Sequence, residues 1–304
     1  MDVRQLECFV EIVKCRNFTG AAKKLFISQP MLTRVVKALE QELGVNLIER
    51  TSKSFRLTDA GEALYEQAQR VLTHFNDIYQ SIDDVKSTRY GNVKLSCPGV
   101  LLDMYFAPLL IEFQKKYPGI DISIVEAGSK VVTEDVLSGD ADLGLVMLPI
   151  ENSIQFETTV VLKDRVELMV NKQHRLAQMR QISVEDLRTE RIVTFGETST
   201  LHDQFIQLCN QHGFTPHISY KSLLPHFTAE LLALSSCVAV LPGPVARRYS
   251  TSALKTVSME QMLPWEIAVI SRKNYYQSHA AGKLKAFICD YFAAPREIKD
   301  ISRN

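Results

Sequence analysis

The chain is expected to fold as an N-terminal all-α helix-turn-helix module, a long linker helix and a C-terminal α/β domain of two lobes. Three observations point there. Residues 18–61 hold two short helical patterns split by a turn and followed by a basic hairpin. Residues 64–85 place apolar side chains at alternating four-and-three spacing with no Gly or Pro between them. From Val93 onward, short β-rich runs alternate with helical ones, which argues for an α/β protein with mainly parallel strands. At 304 residues the chain suits two or three domains.

The apolar spacing explains why the first segment folds as a unit. In its first helix Ala21, Ala22 and Leu25 share a face, and the two alanines are small enough to let another helix approach closely. In the second, Met31 or Leu32, then Val35, Val36, Leu39 and Leu43 make the inward stripe. Ser28 is placed as its N-cap, Pro30 stands in the first turn where a missing N–H costs nothing, and Gly44 closes it. The remaining face carries Gln29, Thr33, Arg34 and Lys37, residue types that reach base edges and phosphates. Charge agrees locally. The whole chain is neutral, with 35 basic and 35 acidic residues, yet residues 18–58 carry seven bases and three acids. A solvated helix pair would show the same amphipathicity, but not this basic patch, which phosphate contact requires.

These residues resemble the winged helix-turn-helix of LysR-type transcriptional regulators. The matching motifs are F-T-x-A-A-x-x-L (Phe18 to Leu25), S-Q-P (Ser28 to Pro30), L-E-x-E-L-G-V (Leu39 to Val45), Glu49-Arg50, and L-T-x-A-G (Leu57 to Gly61). The resemblance implies a regulator that binds a pseudo-palindromic operator in double-stranded DNA, has RNA polymerase as a partner and is not an enzyme. Gln29, Thr33 and Arg34 are expected to discriminate sequence, with Ser28 and Pro30 at the helix start against the duplex. Lys37 and the wing bases Arg50, Lys53 and Arg56 are expected on phosphates. Met31 and Thr33 stand where the family more usually has small residues and serine, which bears on the bases read.

Leu64, Ala68, Val71, Phe75, Ile78, Ile82 and Val85 form an a/d seam over about three heptads. A helix packed along its own domain could show the same seam. The length of this one, and its place between two domains, instead predict burial by a second chain. Paired recognition helices on half-sites fit that reading, and the resemblance implies a dimer, often assembled into a tetramer. The expected boundaries are 1–58 for the DNA-binding module, 59–90 for the linker helix and 91–304 for the effector domain.

Within the last of these, residues 163–265 look inserted between 93–162 and 266–295, giving two lobes and a cleft. Small ligands favour such interfaces at strand carboxyl ends. The resemblance implies the same architecture, similar to periplasmic binding proteins, holding a small-molecule effector. The lining is expected from Gly99, Val100, Gly128, Ser129, Met147, Phe195, Gly196, Thr198 and His226. Val100 stands where the family often has a hydroxyl residue, whereas Ser129 matches its second hydroxyl position. Val100 and Met147 make one wall greasy, so the expected effector is small and partly apolar, such as a monocarboxylate. The Ser235-Ser236-Cys237 run also departs from the family's usual Gly-x-Gly.

No apolar run approaches the ~20 residues of a membrane span, and the N-terminus lacks a signal-peptide core. Six scattered cysteines without a C-x-x-C pair read as free thiols in a reducing cytoplasm. Cys97 and Cys237 leave a thiol-sensing regulator as the alternative. No hydrolase, P-loop, zinc-protease or dinucleotide motif occurs, so no catalytic residue, metal or cofactor is expected. Cys209 and His212 stand three apart without a second ligand pair.

Overall fold

The structure, a computed structural model, describes residues 1–49, 55–86, 91–222 and 224–294, the side chains of 80 and 83–86 excepted. It forms two compact units, 1–86 and 87–304.

The first unit contains α1 (Val3–Cys15), α2 (Phe18–Leu25), α3 (Gln29–Leu43) and α4 (Asp59–Lys86). Its core joins Cys8, Phe9 and Ile12 of α1 to Ala21 and Ala22 of α2 and to Leu32, Val36 and Leu39 of α3. Of the two candidates at the head of the stripe, Leu32 is buried and Met31 is half-exposed. At the other end the stripe stops early, because Leu43 is exposed and Glu40 is buried in its stead. The Glu40 carboxylate accepts the Leu47 N–H at 2.9 Å, supplying the partner that a buried backbone donor needs. Gly44 ends α3 at φ 71°, where an L side chain would be strained. Ser28 occupies the N-cap position without a side-chain capping bond, and its carbonyl accepts from Met31 and Leu32 instead.

The Leu57 to Gly61 motif has a physical basis here. The Thr58 hydroxyl accepts the Gly61 N–H at 3.0 Å and donates to the Asn46 carbonyl at 2.6 Å. A Cβ at Gly61 would overlap the Leu47 carbonyl, so glycine lets α4 lie against the hairpin, whose strands bridge at Ile48 and Leu57. The seam on α4 divides in two. Ala68 is buried with Leu6 and Val10 of α1, and Leu64 packs beside them. These two residues therefore do not form the predicted interchain seam, since Ala68 is small enough for α1 to seat on it within the chain. Val71, Phe75, Ile78 and Ile82 remain exposed, and the side chain of Val85 lies outside the described residues.

The second unit opens with β1 (Gly91–Cys97), α5 (Gly99–Leu101), a π-helical segment (Leu102–Phe106) and α6 (Ala107–Lys116). β2 (Ile120–Glu126), α7 (Ser129–Ser138), β3 (Leu143–Met147) and β4 (Phe156–Asn171) follow. Next come β5 (Gln181–Ile182), β6 (Arg191–Thr194), α8 (Thr200–Gln211), β7 (His217–Lys221) and α9 (Pro225–Ala233). The chain then forms β8 (Val238–Pro242), α10 (Gly243–Arg248), β9 (Leu254–Met259), β10 (Pro264–Arg272) and α11 (His279–Ala293). The strands run in the order β2-β1-β3-β10-β4-β8-β6-β7, with β9 on β4 and β5 on β9.

Pairing is parallel among β1, β2 and β3 and among β6, β7 and β8. It is antiparallel where the chain passes between the two groups, at β10 on β3 and β4 and at β4 on β8 and β9. The expectation of mainly parallel strands therefore fails at the centre. One strand, β4, serves both groups: Phe156 to Arg165 pair with β10 and Val166 to Val170 with β8. Its first half, together with β9, escapes a reading that looks for one strand per lobe. The larger hydrophobic core runs from Val93 and Leu95 through Leu168 to Ile192 and Val238, and a smaller one joins Val132, Val136, Val146, Phe156 and Ala268.

Candidate functional site

Two places in the structure gather the predicted residues. The first is the outer face of α3. Because Leu32, Val36 and Leu39 are spent in the core, the 3.6-residue period turns Ser28, Gln29, Pro30, Arg34 and Lys37 to solvent. The Gln29 side-chain carbonyl accepts the Thr19 hydroxyl at 3.3 Å, and among the described residues its NH2 has no acceptor, so it can donate to one outside the chain. Thr33 is half-buried and gives its hydroxyl hydrogen to the Gln29 backbone carbonyl at 3.1 Å. Its oxygen can still accept, and its methyl can still meet a thymine. Thr19, at the start of α2, was missed in sequence because nothing local marks its reach to α3. Lys24 is tied to Glu11 at 3.0 Å, so its charge is partly spent within the unit. Arg56 is exposed; Arg50 and Lys53 lie outside the described residues.

The second place is a cavity of about 260 Å³ in the α/β unit, at the carboxyl ends of β1, β2, β3, β6 and β8. It gathers Gly99, Val100, Gly128, Ser129, Met147 and Phe195. Ser129 is 4% exposed, and its hydroxyl oxygen accepts the Met147 N–H at 3.0 Å. A Cβ at Gly128 would meet the Thr198 carbonyl at 2.6 Å, so glycine is needed where the β6–α8 loop crosses the start of α7. Thr198 thus closes the rim without lining the cavity, and Gly196 does not line it either. His226 is exposed and lies beside Tyr249, with ring centroids 6.4 Å apart. Its place at a helix start does not bring it into the cavity.

The structure adds Glu126, Ser199, Leu201, Pro242, Trp265 and Ile267 to the lining. Trp265 is the only tryptophan of the chain, and that rarity was the one signal available. The two lobes are strapped across the cavity's edges. On one side the Lys130 ammonium meets Asp203 at 2.6 Å, and Gln204 donates to the Leu148 carbonyl at 3.3 Å. On the other, Arg248 and Tyr249 donate to Asp103 in the π-helical segment, at 3.0 and 3.1 Å.

Cys97 and Cys237 are both buried. Burial, with a further contribution from the Glu126 charge, pushes the Cys97 thiol up to about 12. That is opposite to the exposed, depressed thiolate of a redox sensor. His212 hydrogen-bonds the Leu208 carbonyl at 2.9 Å while Cys209 is buried in the core. Among the described residues there is no cluster of His, Cys, Asp or Glu suited to a metal ion, and no helix is long and apolar enough to cross a membrane.

Residues 3–62 match the family model for the bacterial regulatory helix-turn-helix protein of the LysR family, and residues 87–293 match the LysR substrate binding domain. The HTH-type transcriptional regulator YwbI of Bacillus subtilis is 32% identical over 282 residues, covering 92% of this chain and 93% of that one. AlsR of the same organism is 31% identical over 252 residues, covering 82% and 83%. A full-length OxyR variant from Pseudomonas aeruginosa shares the fold, with a TM-score of 0.68 at 22% identity over 95% of this chain and 94% of that one. Full-length CbnR, solved with its target DNA, has a TM-score of 0.59 at 23% identity over 95% and 99%.

Proposed function

The chain belongs to the LysR family of bacterial transcriptional regulators, and on that premise we propose how its own residues divide the work. It is a DNA-binding regulator modulated by a small-molecule effector. Gln29, Thr33 and Arg34 read base edges, Ser28 and Pro30 seat the helix start on the duplex, and Lys37 and Arg56 hold phosphates with Arg50 and Lys53. The observation that carries this is the composition of α3: one face is consumed by the core, and the other offers Gln29, Thr33 and Arg34, of differing donor and acceptor character, beside the cation Lys37.

Residues 1–58, 59–90 and 91–304 act as reader, linker and effector domain, with lobes 93–162 plus 266–295 and 163–265. Val71, Phe75, Ile78 and Ile82 pair with a second copy in a dimer or tetramer on a pseudo-palindromic operator. The effector enters the cavity around Ser129 and biases the relation of the lobes, and the assembly relays that bias to DNA and to RNA polymerase. The work is binding rather than catalysis, and it is done in the cytoplasm.

A fluorescence titration of full-length protein on its operator at fixed salt tests the reader. Arg34→Ala should lose about 1–3 kcal/mol at the cognate site and little on unrelated DNA, whereas Lys37→Ala should weaken both alike and flatten the salt slope. Unchanged operator binding by Arg34→Ala would remove α3 from the recognition role.

A further inference from the structure

The cavity's lining holds one formal charge, and it is negative: no Lys, Arg or His lines it, and Glu126 does. Glu126 ends β2, and its carboxylate lies over Gly99, at the head of the helix that follows β1. A Cβ at position 99 would overlap it, so glycine leaves the room the carboxylate takes. Glu126 is exposed, so its charge is partly solvated, and among the described residues no side chain of the protein pairs with it. A ligand whose only charged group is a carboxylate would meet this anion without any side-chain cation to offset it, and like charges at close range disfavour both.

A second, independent feature asks for an acceptor. Ser129 is 4% exposed and its oxygen is already used by the Met147 N–H, while no protein acceptor takes its hydroxyl hydrogen among the described residues. It stands at the start of the ten-residue α7, whose N-cap Gly128 brings no side chain to the helix end. The unspent hydroxyl hydrogen and the helix-start N–H groups, apart from that of Lys130, which donates to the Thr198 carbonyl at 3.3 Å, suit a carboxylate oxygen. The rest of the wall is apolar, with Phe195, Leu201, Trp265 and Ile267. At about 260 Å³, the cavity falls below the roughly 300–1,000 Å³ of sites for drug-sized ligands.

We propose that this cavity selects a small zwitterion with an apolar side chain, an α-amino acid or a close analogue. Its ammonium meets Glu126, its carboxylate meets Ser129 and the start of α7, and its side chain meets the aromatic wall. This rests on the cavity being the effector site, and it replaces the simple monocarboxylate expected from Val100 and Met147.

The test is calorimetric titration of the full-length protein with leucine, methionine and phenylalanine, each beside its deaminated acid and its decarboxylated amine. At least one amino acid should bind at least about tenfold tighter than both of its truncated forms. Glu126→Gln should cost that amino acid about tenfold and leave the matching acid unweakened, while Ser129→Ala should weaken both. The proposal is overturned if a deaminated acid binds as tightly as its parent, if Glu126→Gln leaves amino-acid binding unchanged, or if none of the three series binds. An acid that binds and is weakened only by Ser129→Ala would sink the zwitterion while keeping the cavity as effector site. A ligand indifferent to both substitutions would sink the two together.

Discussion

At the scale of single residues, burial decides what the chemically capable side chains can do. Cys97 ends β1 inside the core, and the loss of water there, with the nearby Glu126 charge, holds its thiol neutral up to about 12 against an ordinary 9.0. The sign of the stability effect follows from proton binding. Below about pH 9 both states keep the proton and Cys97 contributes no slope. Between about 9 and 12 the unfolded chain releases it while the folded chain does not, so stability falls as pH rises. Urea unfolding at pH 7, 9 and 10 should show that fall, and Cys97→Ala should make it shallower whatever its effect at pH 7. Native Cys97 should also resist thiol reagents. Rapid alkylation of Cys97 in the folded protein would contradict this account and restore a redox role. Ser129 and Glu126 show the opposite case, with polar groups at the cavity keeping capacity unspent.

At the scale of elements, α4 is one helix with two environments. Its first turns are held by α1 through Ala68 and Leu64, whereas Val71, Phe75, Ile78 and Ile82 expose an apolar stripe. Ile78 is 54% exposed within the chain, so a glutamate there meets water unless another copy covers it. Covered, it would be an unpaired buried carboxylate, which an interface tolerates only by opening. Ile78→Glu should therefore sediment as a smaller particle and lose affinity for an operator of two half-sites, with its melting temperature as a monomer little changed. A variant that sediments as wild type would mean the stripe is not the assembly surface.

At the scale of the whole effector unit, one strand, β4, crosses between the parallel groups and a few polar straps span the cavity's edges. The Lys130–Asp203 pair is roughly half exposed on both sides, so its worth to stability is small, in the range of about 0.2–1 kcal/mol for surface pairs. Its place matters more than its strength, because it ties α7 to α8 beside Ser129. Lys130→Ala should speed effector release a few-fold and leave DNA binding without effector unchanged, and the swapped pair Lys130→Asp with Asp203→Lys should recover part of the loss. Stopped-flow release rates would settle it; identical rates in all three proteins would show that the strap does not gate the cavity.

What short-range physics controls could be read along the chain. The helix-turn-helix was legible because its evidence lies within one turn of each residue: two alanines for close approach, a stripe at helical spacing, glycine at the left-handed end of α3. Cavity residues at strand ends, such as Gly99, Gly128 and Ser129, were legible because a helix start after a strand is a local signature. Leu43 and Glu40 were not, since which of them faces inward depends on where the hairpin's N–H groups fall. Nor could local pattern say that α1 claims Ala68, that β4 runs antiparallel to β10 and β8, or that His226 stops at Tyr249. Glu126 and Trp265 entered the cavity only through the pairing of β2 with β1 and of β10 with β3 and β4. Those contacts join residues tens of positions apart. Their outcome is set by which nonpolar faces find each other on collapse, and spacing along the chain carries no record of that choice.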